Sequence, residues 1–140
     1  MTQEDKDLLL KDLCGRSPYG VKCCIYNFGG DTIRIKEDIL WSVQGDNILT
    51  LKSYVEKGEA YMYHQIKPYL FPLSSMTEEQ KEEYRKACDL DTEILSKHPM
   101  DETPFPALHN SQDWLNAHHF DYRGLIPMGL ANDSTRLNIY

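Results

Sequence analysis

Apolar positions near the start of the chain fall at helical spacing. Leu9, Leu10 and Leu13 form one stripe and predict a helix over 2–14. Thr2 is its expected cap, with Glu4 and Asp5 in the first turn, where the helix dipole favours negative charge. Gly15 is the expected left-handed stop, followed by Pro18. From residue 21 the period shortens. Val21–Asn27, Thr32–Lys36, Ile39–Gln44, Ile48–Tyr54 and Ala60–Ile66 read as short strands. Turns are expected at Gly29–Gly30, Gly45–Asn47 and Lys57–Gly58.

Pro68 and Pro72 bracket Tyr69, Leu70 and Phe71, which predicts an irregular segment leaving the sheet. Thr77 with Gln80 three residues on forms a capping box, opening a helix that runs to about Asp89 with Tyr84 and Cys88 on its inner side. Residues 96–110 hold three prolines and no apolar period, and read as a loop. Asn110 or Ser111 caps a short helix to about His119, on which Trp114, Leu115 and His118 share a face. Leu125–Leu130 forms one further turn, and the polar tail is loosely held.

The pattern as a whole predicts an α+β domain. A small antiparallel sheet of four or five strands, curled towards an SH3-like barrel, packs with an N-terminal helix and a C-terminal helical block. One domain over 1–140 is expected: sheet-rich through 72, helix-rich over 73–131, and loose over 132–140. The stretch 111–130 concentrates apolar bulk and hydrogen-bonding groups. It is expected to lie over the sheet and complete a single interior.

Charge narrows the function classes. The chain carries 15 basic and 22 acidic residues, a net −7, with no basic cluster, so nucleic-acid binding and anionic membranes are disfavoured. Residues 78–93 hold seven acids and three bases. The first residues, MTQEDKDLLLKDL, lack the form of a signal peptide, and no apolar run reaches the ~20 residues of a membrane span. Cys14, Cys23, Cys24 and Cys88 show no metal or redox spacing and read as buried reduced thiols, so a cytoplasmic setting is expected. Nine of the fifteen aromatic residues are tyrosine, a ring suited to contact surfaces.

Candidate chemistry centres on Trp114, His118, His119, Tyr122 and Arg123, as a ligand- or partner-binding set. Adjacent histidines on a helix diverge by ~100°, so one ion is not easily shared, and His109 could approach His118 only through the fold. No metal or cofactor is expected. Arg123 could pair with Asp121, hold a carbonyl, or present its fork to an anion. Cys14 sits at the negative end of a helix dipole, the wrong end for a thiolate, and no serine-hydrolase or phosphate-loop motif is present.

Three blocks, LLLKDLCGRSPYGVK (8–22), IKPYLFPLSSMTEEQKEEY (66–84) and DWLNAHHFDYRGLIPMGLA (113–131), resemble a family of small proteins from gut Bacteroides-type bacteria, their phages and prophages. The resemblance implies a bacterial or phage cytosolic setting and no particular chemistry. The leading expectation is a non-enzymatic protein-interaction or regulatory module, an accessory of a phage or mobile element whose partner is another protein. A sharper form has the acidic helix 77–89 engaging a basic protein. A second reading is a small-ligand binder or enzyme with its pocket between the sheet and the 111–130 block. A third is a nucleic-acid-binding barrel, which requires Lys22, Arg34, Lys36 and Lys52 to share one exposed face.

Overall fold

The structure, a computed structural model, describes residues 1–29, 32–56, 58, 60–97 and 110–140. Helix α1 (Gln3–Arg16) begins with the expected reciprocal cap. Thr2 Oγ1 accepts from the Asp5 N–H at 3.1 Å, and the Asp5 carboxylate accepts from the Thr2 N–H at 3.0 Å. Gly15 does not end it. The chain passes from Arg16 into a 3-10 turn, Ser17–Tyr19, whose first turn accepts Pro18, and the left-handed residue is Gly20 at φ 66°. Leu9 and Leu13 are fully buried, each contributing roughly 1.5–3 kcal/mol of apolar transfer. Leu10 is half-buried.

The sheet contains β1 (Lys22–Gly29), β2 (Thr32–Gln44), β3 (Asn47–Thr50) and β4 (Ile66–Pro72), with two-residue β5 (Phe120–Asp121) and β6 (Asn132–Asp133). Its order is β3-β2-β1-β4-β5, with β6 also on β4. The first four strands pair antiparallel, while β5 and β6 run parallel to β4. The sheet is therefore mixed, not an antiparallel meander, and it curls into half a barrel.

Several expected boundaries move. The two strands read at Thr32–Lys36 and Ile39–Gln44 are one continuous β2. The strand read at Ile48–Tyr54 ends at Thr50, where a second capping box starts the short helix α2 (Leu51–Val55). Thr50 and Ser53 exchange side-chain-to-backbone hydrogen bonds at 3.3 and 3.4 Å. Residues 60–65 are not a strand. Tyr61 makes a single bridge to Ile48, and a 3-10 turn, Tyr63–Gln65, leads into β4.

The segment expected to leave the sheet at Pro68–Pro72 lies inside it. Pro68 occupies the last paired position against β1, opposite Cys23, and Pro72 the last against β5. Each missing N–H thus falls at the end of a ladder, where proline is tolerated. The expected turns at Gly29–Gly30 and Lys57–Gly58 lie partly outside the described residues.

Helix α3 (Glu78–Lys97) opens on the Thr77–Gln80 box, with bonds at 2.9 and 3.2 Å. It continues beyond Asp89 because neither glycine nor proline follows until Pro99. The loop expected over 96–110 falls mostly outside the described residues, and positions 96–97 belong to α3. Helix α3 packs chiefly on α4 (Asn110–Ala117). The Asp91 carboxylate accepts from the backbone and side chains of Asn110 and Ser111 at 2.7–3.0 Å, which caps α4. Burial alone would raise the Asp91 carboxyl; these bonds outweigh it and hold it below the usual carboxylate range.

One apolar cluster joins α1 to the sheet and the C-terminal block. It includes Leu9, Leu13, Val21, Ile25, Leu40, Ile48, Ile66 and Leu70, closed by Leu125, Leu130 and Ala131. The tail is not loose. Ser134 is buried, its N–H and hydroxyl both donate to the Leu70 carbonyl, and Asn132–Asp133 pairs with β4.

Candidate functional site

None of the four clefts found among the described residues is lined by the five residues singled out in 111–130. These residues divide among three internal clusters. Tyr122 and Arg123 reach back to α1, where Asp12 and Arg16 are fully buried on the same side as Leu9 and Leu13. Arg16 Nε and Nη2 donate to the two Asp12 oxygens at 2.6 and 3.1 Å, and Nη2 also donates to the Phe120 carbonyl at 2.7 Å. Arg123 Nε stands 3.3 Å from Asp12 Oδ1. Arg123 therefore pairs with Asp12, not with Asp121. Asp121 accepts the Leu125 and Ile126 N–H groups, each at 2.9 Å, and so holds the turn itself.

The Tyr122 ring lies under both guanidiniums, 5.2 Å from Arg16 and 4.9 Å from Arg123. Its hydroxyl donates to Asn116 Oδ1 at 2.9 Å and accepts from Gln112 at 3.2 Å and Arg123 at 3.3 Å. One carboxylate thus serves two guanidiniums, with the Phe120 carbonyl and the Tyr122 ring and hydroxyl beside it, while Arg16 Nη1 is buried without a hydrogen-bond partner. The sequence held a signal for this. Asp12 and Arg16 fall at i+3 and i+7 from Leu9, on the apolar stripe.

Trp114 and His118 form the second cluster. Their rings stack at 4.0 Å, and Trp114 also stacks on Phe120 at 5.8 Å and meets Tyr84 of α3 at 5.7 Å. His118 Nδ1 donates to the Trp114 carbonyl at 2.8 Å, so one imidazole closes the end of α4, while Nε2 lies 4.0 Å from Glu83.

His119 sits in the third. It takes a left-handed conformation, φ 63°, and stacks on Tyr140 at 4.0 Å. Burial, with the positive charges of Arg16, His118 and Lys22, lowers its pKa to about 4. The Tyr140 hydroxyl accepts from the Lys22 N–H at 2.8 Å and donates to the Tyr69 carbonyl at 2.9 Å. The ladder between β1 and β4 ends at Cys23 opposite Pro68, so these are the peptide groups of the next pair. One phenol fills the position that a ladder hydrogen bond would have taken. Burial pushes the Tyr140 phenol well above its ordinary pKa. Lys22 Nζ, which also lies over the Tyr140 ring, donates to the Ile139 carbonyl.

The four cysteines are free thiols. Cys23 and Cys24 are buried as expected, whereas Cys14 is exposed and Cys88 half-buried. Burial pushes the Cys23 thiol far up, with Asp38, Cys24 and Asp12 adding to it, so it stays protonated. Among the described residues no group of three His, Cys, Asp or Glu is placed to hold a metal ion, and no helix is long and apolar enough to cross a membrane. His109 lies outside the described residues.

Tyr140 is itself 43% exposed, and further exposed apolar side chains lie on β2 and α2. In the β2–β3 ladder Leu40 opposes Thr50 and Ser42 opposes Leu49, which leaves Trp41 as the extra residue of a bulge. Bulges re-aim side chains. Here the indole stacks on Tyr54 of α2 at 4.9 Å, and both stay open to solvent, Trp41 at 46% and Tyr54 at 55%. Val55, next in the chain, is 68% exposed. The sequence marked Trp41 as the centre of a strand but could not show the bulge, because register depends on the partner strand.

Of the basic residues that a nucleic-acid face would need, Lys22 is engaged by the tail. Lys36 and Lys52 share a cleft with Glu37, Asp38 and Glu56. The Arg34 side chain lies outside what the structure describes. Compared with family models, with curated proteins and with solved structures, the chain matches none.

Proposed function

We propose that this chain is a protein-binding module whose contact surface is the stacked pair Trp41–Tyr54 with Val55. The exposed pair carries the reading. Single apolar side chains on a surface are ordinary, but adjacent large aromatics held rigid by a bulge and a capped helix have the make-up of binding hot spots. Stacking fixes both rings before any partner arrives, so little side-chain entropy is lost on contact. The internal engagement of Trp114, His118, His119, Tyr122 and Arg123 supports placing the contact surface away from them.

The partner is a protein with net positive charge. The chain carries −7, and Glu78, Glu79, Glu82 and Glu83 lie along the exposed side of α3. Such a field speeds encounter with a basic surface and turns away nucleic acid. The resemblance of three sequence blocks to small proteins of gut Bacteroides-type bacteria and their phages favours an accessory role in the cytoplasm of such a host.

The test is affinity purification from that host with mass spectrometry, comparing the native chain with Trp41→Ala/Tyr54→Ala. A partner recovered by the native chain, lost with the double variant and released by raised salt, is expected. Recovery unchanged by the double variant rejects the surface, and a partner held without any salt dependence rejects the charge argument.

A further inference from the structure

A cleft of about 400 Å³ opens where β4 and β5 meet the start of α3 and the chain after β6. Its lining is Phe71, Ser75, Thr77, Gln80, Phe120 and Thr135. The volume falls within the range of small-molecule pockets, about 300–1,000 Å³. Three other clefts each include charged side chains: Asp113 in one, and Glu37, Asp38 and Lys52 in each of the remaining two. Among the described residues this cleft has none, in a chain that is 26% charged. A charged ligand would find no counter-ion among the described lining residues.

The floor is aromatic. Phe71 is half-buried and lines it; Phe120, 6.0 Å away, is only 1% exposed and backs it, stacked in turn on Trp114 with 7° between planes. Such a floor favours a flat ring, which can stack or meet it edge on.

The rim carries a donor–acceptor code that follows from bonds already made. Gln80 Oε1 accepts from the Thr77 N–H, which leaves the Gln80 NH2 as a donor. Thr77 Oγ1 accepts from the Gln80 N–H, which leaves its hydroxyl proton as a second donor. Ser75 Oγ donates to the Pro72 carbonyl and Thr135 Oγ1 donates to Asp133, which leaves both oxygens as acceptors. Two donors and two acceptors therefore ring an uncharged aromatic floor.

We propose that this cleft binds a small uncharged planar heterocycle bearing a hydrogen-bond donor and acceptor side by side, of the class of a free nucleobase or its nucleoside. The site is separate from the Trp41 surface and does not depend on it.

The experiment is ligand-observed saturation-transfer NMR on the whole chain with uracil, adenine, adenosine and AMP. Signal is expected from the uncharged probes, with AMP at least about tenfold weaker than adenosine, a difference of about 1.4 kcal/mol. Thr135 is exposed, so Thr135→Trp can block the mouth without touching the core, and it is expected to abolish binding. Gln80→Glu keeps the oxygen that accepts from the Thr77 N–H, removes the donor, and is expected to weaken binding at least about fivefold. Far-UV circular dichroism confirms that each variant folds. Absence of signal from every uncharged probe, binding that survives Thr135→Trp, or AMP bound as tightly as adenosine would each overturn the proposal.

Discussion

Asp12→Asn is the substitution that most sharply tests how the C-terminal block is held. It keeps the shape of the side chain and removes its charge. In the native chain Asp12 is fully buried and faces Arg16 at 2.6 Å and Arg123 at 3.3 Å. Without the carboxylate, the two guanidiniums lose the counter-charge they share among the described residues. Removing one member of a buried ion pair costs about 3–5 kcal/mol. The total stability of a domain is about 5–15 kcal/mol, so the loss is a large share of it. Arg123 is less enclosed, with 15% of its side chain exposed, so Arg123→Ala is expected to cost about 1–2 kcal/mol. Because both act through one carboxylate, the double variant should lose at least about 1 kcal/mol less than the two single losses together. Urea unfolding followed by tryptophan fluorescence gives each midpoint, and an unchanged slope shows that the denatured state is not altered. A loss below about 1 kcal/mol for Asp12→Asn, or strict additivity with Arg123→Ala, refutes the reasoning. Arg123 would then be free to meet a ligand.

Two further outcomes follow from the tail and its histidine. Tyr140→Phe removes one hydroxyl and leaves the Lys22 N–H and Tyr69 carbonyl to water; an expected loss of about 1–2 kcal/mol in the same unfolding assay checks it, and a change under about 0.3 kcal/mol would show that the tail is not clamped there. His119 has a folded pKa of about 4, below the ordinary histidine value, so between pH 6.5 and 4 the unfolded chain binds the proton that the folded chain refuses. Stability therefore falls as pH drops through that window, by about 1 kcal/mol after allowance for solvent screening. His119→Asn, a residue that tolerates the left-handed backbone, should flatten the slope, and an unaltered slope in that variant would assign the pH dependence to other groups.

What was legible in the sequence was what repeats or caps. The Thr2 and Thr77 boxes and the Leu9–Leu13 stripe gave α1 and the start of α3, and strand-like runs placed β1 and, as two separate strands, β2. The Thr50–Ser53 box was hidden because it sits inside an alternating run, where Leu51, Ser53 and Val55 look like one face of a strand. β4 was hidden by its prolines, whose missing N–H groups matter only within a ladder and here fall at its ends. The tail was hidden because single atoms hold it, Ser134 Oγ and Tyr140 Oη, and a single hydroxyl leaves no period. Trp114, His118, His119, Tyr122 and Arg123 read in the sequence as one ligand- or partner-binding set. Their distribution among three separate clusters depends on α1, α3 and the tail, which pattern alone does not bring together.

The central claim is that binding runs through the rings on β2 and α2 and not through the polar groups of 111–130. A titration of the recovered partner, by calorimetry, against the native chain, Trp41→Ala and Arg123→Ala decides it. The account predicts that Trp41→Ala weakens affinity at least about thirtyfold, a hot-spot loss of about 2 kcal/mol, while Arg123→Ala, measured where it remains folded, binds as the native chain does. Native affinity in Trp41→Ala, or a comparable loss in folded Arg123→Ala, would contradict it.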